Sequence, residues 1–119
     1  MLAVVWWLRR FRQRRALRAA LRELRALARA HARDGDTTDL ARGLSRLLRR
    51  HATACFAQAG VEGLTGGDWL RFLDTHGGEG AFCHGVGTVL ESRPYRDAGA
   101  VDAVALIALV RRWLRANPL

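Results

Sequence analysis

The sequence predicts an all-α fold, and three observations carry that expectation. Ala, Leu and Arg dominate the composition, while the strand-favouring residues Val, Ile, Thr and Tyr are sparse. Only two prolines occur, Pro94 and Pro118, and neither proline nor glycine interrupts the chain from Leu2 to Asp34. Around Leu17 and again around Leu40, apolar residues recur every three or four positions. A length of 119 residues allows one compact domain, and a chain that is 50% apolar can bury a real core.

The first element is a long amphipathic helix. At 100° per residue, Leu17, Ala20, Leu21, Leu24, Leu27, Ala28 and His31 share one side. Arg14, Arg18, Arg22, Arg25, Arg29 and Arg33 form a stripe about 100° wide on another. At 1.5 Å per residue such a helix spans roughly 45–50 Å. Gly35 supplies its left-handed stop. Asp36 or Thr37 caps a second helix, with Asp39 in the first turn, running to about Phe56. Leu40, Leu44, Leu47, Leu48, His51 and Cys55 are expected on its buried face, and Arg42, Arg46, Arg49 and Arg50 opposite. So short a connection folds the two helices into an antiparallel hairpin.

Nine of the twelve glycines lie between Gly60 and Gly87. In that stretch Thr65 and Asp68 form a capping box for a short helix carrying Trp69, Leu70, Phe72 and Leu73, which Gly77, Gly78 and Gly80 end. A second short helix covers Val86 to Ser92 and stops before Pro94. The last helix, about Val101 to Ala116, has an eight-residue apolar run from Ala103 to Val110, which is core length and not membrane length. Arg111, Arg112 and Arg115 sit near its C-terminus, where positive charge is favourable. The expected organisation is the end of a membrane anchor with its basic flank over 1–16, a single helical cytoplasmic domain over 17–116, and a tail over 117–119.

Charge is divided unevenly. Met1 to Arg33 holds ten arginines and one acid, Glu23, so the whole net charge of +9 lies there; Asp34 to Leu119 holds ten of each and is neutral. All 20 basic residues are arginine, so the chain has no Walker-type phosphate loop, Schiff-base lysine or lysine general base. No small-residue cleavage site follows the apolar start, and Cys55 and Cys83 are read as free thiols of a reducing compartment.

Leu2 to Leu8 is a run of seven apolar residues, against the roughly 20 needed to cross a bilayer as a helix. It nevertheless has the marks of a membrane boundary. Trp6 and Trp7 suit the headgroup region, and Arg9, Arg10, Arg12, Arg14 and Arg15 follow at once, as on a cytoplasmic flank. The expected membrane-interface residues are therefore Leu2, Val4, Val5, Trp6, Trp7 and Leu8 with those five arginines. The expected partner is anionic lipid, at the cytoplasmic face of a bacterial inner membrane. An apolar tail packed on the domain or on a twin chain is the alternative. A nucleic-acid-binding module using Arg14 to Arg33 is the rival function, opposed by the neutral remainder and the lack of any helix-turn-helix, zinc-finger or base-stacking signature.

Nothing in the chain sets up an enzyme. His51 with Cys55 and Cys83 with His84 match no strong zinc pattern. Gly85-Val86-Gly87 lacks the preceding strand of a phosphate loop. Ser45 and Ser92 sit in no nucleophile elbow, and Asp68, Asp74 and Glu79 form no acid–base pair. No catalytic residue, metal or cofactor is expected. Trp69 and Tyr95 are candidate partner contacts, with Trp69 expected mainly to fill the core.

The segment from Gly63 to Arg96 carries Leu64-Thr65-Gly66 before Asp68-Trp69-Leu70, then Phe72-Leu73-Asp74, Gly85-x-Gly87 and Pro94-Tyr95. With the turn from Ala32 to Asp36, Leu47-Leu48-Arg49-Arg50 and Arg111-Arg112-Trp113-Leu114, this order resembles a bacterial family of membrane proteins, domain of unknown function 4381. The likeness runs from about Arg9 to Ala116. It implies one N-terminal membrane span, a small helical cytoplasmic domain, and genes beside a MoxR-type AAA+ ATPase and proteins with von Willebrand factor A domains. The function it implies is an accessory or scaffold of a membrane-linked assembly, with no catalytic residues to carry over. The family pattern also has a longer apolar span where this sequence starts.

Overall fold

The computed structural model describes residues 1–91 and 102–118, and among them the fold is all-α with no strand. The helices are α1 (Leu2–Asp34), α2 (Thr37–Cys55), α3 (Gly66–Leu73) and α4 (Ala103–Ala116). Two 3₁₀ turns, Val61–Gly63 and Val86–Leu90, flank α3 in the chain.

Helix α1 has 33 residues, which at 1.5 Å per residue is roughly 50 Å. It sets the longest dimension of the molecule, 52 Å. Its apolar stripe meets the body as the periodicity predicts: Ala20 and Leu24 are buried, with Leu17, Leu21 and Leu27 packed beside them. Gly35 ends the helix in the left-handed region at φ 65° and donates its N–H to the His31 carbonyl. Of the two possible caps for α2, Asp36 fills the role, its Oδ1 accepting the Asp39 N–H at 3.0 Å.

Helix α2 then returns along α1. His31 meets Thr37 at 3.2 Å, and Arg50 pairs with Glu23. A methyl group on Gly43 would fall 2.5 Å from Leu27 Cδ2. Residue numbers thus rise on one helix as they fall on the other, the order of an antiparallel hairpin. Gly43 is a point of close contact with Leu27, and it has no cue in the helical periodicity.

Helix α4 closes the core against α1 and α2. Asp102 caps it through the Ala105 N–H at 3.0 Å, and Leu106, Leu109, Val110, Trp113 and Leu114 are buried. Trp113 Nε1 donates to the Leu73 carbonyl at 2.9 Å, which ties α4 to the last turn of α3.

Four local expectations are corrected. Thr65 precedes α3, but neither side chain of the expected capping box closes it, because Asp68 is exposed and turned to Arg71 one turn on. The segment after Gly85 makes a 3₁₀ turn that ends at Leu90, while Ser92 and Pro94 lie outside the described residues. Arg49 leaves the solvent face assigned to it, because carbonyl groups at Val61 and Leu64 draw its guanidinium inward. Asn117, placed in the tail, is half-buried and bonded into the body.

Gly87 is buried, and a Cβ there would lie 2.6 Å from Phe82 Cδ1 and 2.9 Å from Phe82 Cα. Gly87→Ala is expected to destabilise the fold by about 1–3 kcal/mol through overpacking. Gly63→Ala, in open space, should change it little. Urea midpoints of the two variants check this; equal midpoints would contradict the packing.

Candidate membrane and partner surfaces

The first twelve residues are all exposed, so roughly 16 Å of α1 from Leu2 to Arg12 stands clear of the body. Successive residues turn by 100°, so Leu2 to Leu8 are apolar on every side of the helix. Leu2 is 88% exposed, Trp6 59%, Trp7 61% and Phe11 51%. Trp7 stacks on Phe11 at 5.9 Å between centroids, and the Arg10 guanidinium lies 5.3 Å from the Trp6 ring. All eleven expected interface residues, Leu2, Val4, Val5, Trp6, Trp7, Leu8, Arg9, Arg10, Arg12, Arg14 and Arg15, share this one projecting end. Among the described residues, no helix is long and apolar enough to cross a membrane.

Behind that end runs a ridge of exposed arginines, Arg14, Arg18, Arg22, Arg25, Arg29 and Arg33. The ion pairs among the described residues are Arg42–Asp39, Arg50–Glu23 and Arg71–Asp68, and none involves the ridge. Like charges four apart on a helix cost about 0.2–0.5 kcal/mol per pair. Glu23, the acid best placed on α1 to relieve this, faces Arg50 instead.

A second surface is the groove of about 640 Å³ between α2 and α3, lined by Ser45, Arg49, Glu62, Thr65, Trp69 and Glu91 among others. Arg49 organises it. Its Nη1 donates to the carbonyls of Val61 at 3.1 Å and Leu64 at 2.6 Å, and its Cζ lies 4.2 Å from the Trp69 ring. The planar guanidinium can hydrogen-bond in its plane and stack across its face at once, which an ammonium cannot. Trp69 is 1% exposed and stacks on Phe72 at 6.1 Å, so its ring belongs to the core. Its Nε1–H is buried and has no hydrogen-bond partner among the described residues. Tyr95, the other candidate partner contact, lies outside the described residues.

Three of the four residues weighed for zinc, His51, Cys55 and Cys83, serve other contacts, and His84 is exposed. His51 Nε2 and Cys55 Sγ both reach the Asn117 carbonyl, at 2.8 Å and 3.2 Å. A carbonyl only accepts, so both donate, and Nε2 carries the hydrogen. Asn117 Nδ2 in turn donates to the carbonyls of His76 at 2.7 Å and Trp113 at 2.9 Å. Burial pushes the Cys55 thiol upward. Cys83 sits beside Asp74, whose carboxylate raises the thiol by hydrogen bonding, with burial adding to it. Among the described residues no group of three or more His, Cys, Asp or Glu side chains is placed to share a metal. Arg49 and Asn117 were invisible as site builders in the sequence, since an arginine beside a leucine stripe and an Asn-Pro near the end have no distinguishing pattern.

The family model for the domain of unknown function (DUF4381) matches residues 1–116. The chain belongs to the DUF4381 family. No curated protein and no solved structure matches it. In this DUF4381 chain the matched region includes the exposed apolar start, the arginine ridge and the Arg49–Trp69 groove, and it stops one residue before Asn117.

Asp74 holds the glycine-rich region of the DUF4381 domain together. Its Oδ1 and Oδ2 accept the N–H groups of Phe82 at 3.0 Å and Cys83 at 2.9 Å. Burial alone would raise this carboxyl, but the N–H donors outweigh it and hold the pKa below the ordinary carboxylate range. A depressed folded pKa adds stability above the unfolded value of about 4 and loses it as pH falls through the folded value. Asp74→Asn is therefore expected to lose about 1–2 kcal/mol at pH 7, with a smaller further loss than the parent between about pH 4 and pH 2. Urea titrations across that range decide it; parallel acid limbs would contradict the role.

Proposed function

We propose that this DUF4381 chain is a non-enzymatic, membrane-proximal helical adaptor. Leu2 to Leu8 enter the apolar layer, Arg9 to Arg15 meet the headgroups, and the neutral body binds proteins on the cytoplasmic side of a bacterial inner membrane. One observation carries the reading. The apolar start is exposed on all its faces and is covered by none of the described residues of the body, and a helix apolar all round is the kind that lipid or a protein interior buries. At about 1 kcal/mol per basic residue near an anionic surface, the five arginines would supply roughly 5 kcal/mol, to which the apolar turns add. By family resemblance, the assembly served is one with a MoxR-type ATPase and von Willebrand factor A-domain proteins.

Supporting the second reading, a nucleic-acid-binding module, is the exposed arginine ridge. The two readings separate on vesicles. The chain is expected to float with vesicles containing anionic lipid and less with neutral ones. Trp6→Ser with Trp7→Ser should lower the floated fraction severalfold, as should replacing Arg9, Arg10 and Arg12 by Gln. Recovery of the parent chain only in the soluble fraction, with retention on duplex DNA that falls steeply with salt, would favour the second reading.

A further inference from the structure

The structure points to the distal arginine ridge of α1, from Arg18 to Arg33, as a docking track for an acidic helix of a protein partner. Arg18, Arg22, Arg25, Arg29 and Arg33 follow one another at intervals of three or four, all are exposed, and among the described residues none is ion-paired. At 1.5 Å per residue the track is roughly 22 Å long and straight, because α1 continues unbroken beneath it. A helix with glutamate or aspartate at the same three- and four-residue spacing presents a matching line of carboxylates.

Lipid fits this stretch poorly, a point that rests on the membrane-proximal reading of Leu2 to Leu8. Arg18 lies roughly 15 Å and Arg33 roughly 38 Å along α1 from Leu8. Charge interactions are screened within about 8 Å at physiological ionic strength. The headgroups hold Arg9 to Arg15 and leave the rest of the ridge free for another anion.

A uniform polyanion also fits poorly. The ridge ends at the hairpin tip, where Asp34, Asp36 and Asp39 are exposed. A phosphate backbone carried past Arg33 meets their repulsion, and among the described residues no exposed Trp or Phe ring borders the ridge beyond Phe11 to stack a base. A polypeptide can reverse its charge at that end.

The test uses the whole chain and a synthetic 21-residue helical peptide, with glutamate at i, i+4, i+7 and i+11 and two lysines at one end. Calorimetry in dilute salt is expected to detect binding. Arg22→Gln, Arg25→Gln and Arg29→Gln together should weaken it at least tenfold, and should leave binding to anionic vesicles unchanged. These side chains are exposed, so the variant is expected to fold, and its circular dichroism confirms it. Absence of peptide binding, or binding insensitive to the three substitutions, overturns the docking track. So does tighter binding of a 20-base-pair duplex through the same three arginines, or an equal loss of vesicle binding in the variant. The Trp6 and Trp7 substitutions act on vesicles alone, so failure of the membrane reading shows there independently.

Discussion

The unbroken hydrogen-bond ladder of α1 governs the arrangement of everything else. Its second half is locked into the body by Leu24 and Ala20 against the returning α2 and the last helix. Its first half continues the same axis, because no glycine or proline gives it a place to bend. The direction of the exposed apolar turns is therefore fixed by core packing more than ten residues away. One element thus serves as a wall of the core, a row of positive charge, and a projecting apolar end, and its sequence changes character along its length to match.

The glycine-rich half of the molecule is held by a different means. Among the described residues between α2 and α4, α3 is the one regular α-helix, so many backbone groups there need partners from side chains. Arg49 satisfies carbonyls at Val61 and Leu64, Asp74 satisfies N–H groups at Phe82 and Cys83, and Trp113 and Asn117 satisfy carbonyls at Leu73 and His76. The Arg49, Trp113 and Asn117 bonds reach across 12 to 41 positions of sequence, and the Asp74 bonds across eight and nine. Gly78 and Gly87 let Phe82 settle fully into the core, since a side chain at either would collide with its ring. The groove at Arg49 and Trp69 lies beside this scheme, where Arg49 of α2 holds the carbonyls of Val61 and Leu64 and stacks on the Trp69 ring of α3.

Periodicity made the helices legible because each obeys a single rule along its length. The buried faces of α1, α2 and α4, the turn at Gly35 and the hairpin itself all follow from spacing and cap residues. The apolar start was legible as a distinct segment, since seven apolar residues are followed at once by arginines, but the sequence left both a lipid-facing end and a tail packed on the domain open. What spacing cannot convey is a polar side chain that turns away from its expected face. Arg49 sits on the arginine side of α2 by angle, yet the carbonyls of a distant loop decide where it points. Asp68 had the right interval for a capping box, but Arg71 competes for the same carboxylate and takes it. Gly43 likewise has no cue in the spacing, yet a Cβ there would meet the Leu27 side chain of α1.

The four indoles of the chain fall into two classes that no spectrum should blur. Trp69 and Trp113 are 1% and 0% exposed, while Trp6 and Trp7 are 59% and 61% exposed on the far end of α1. Emission from the outer pair will be red-shifted in buffer and will move to the blue once their rings leave water; emission from the inner pair changes only when the core opens. A single fluorophore type, native to the chain, thereby reports occupancy of the apolar end and integrity of the fold as separate signals.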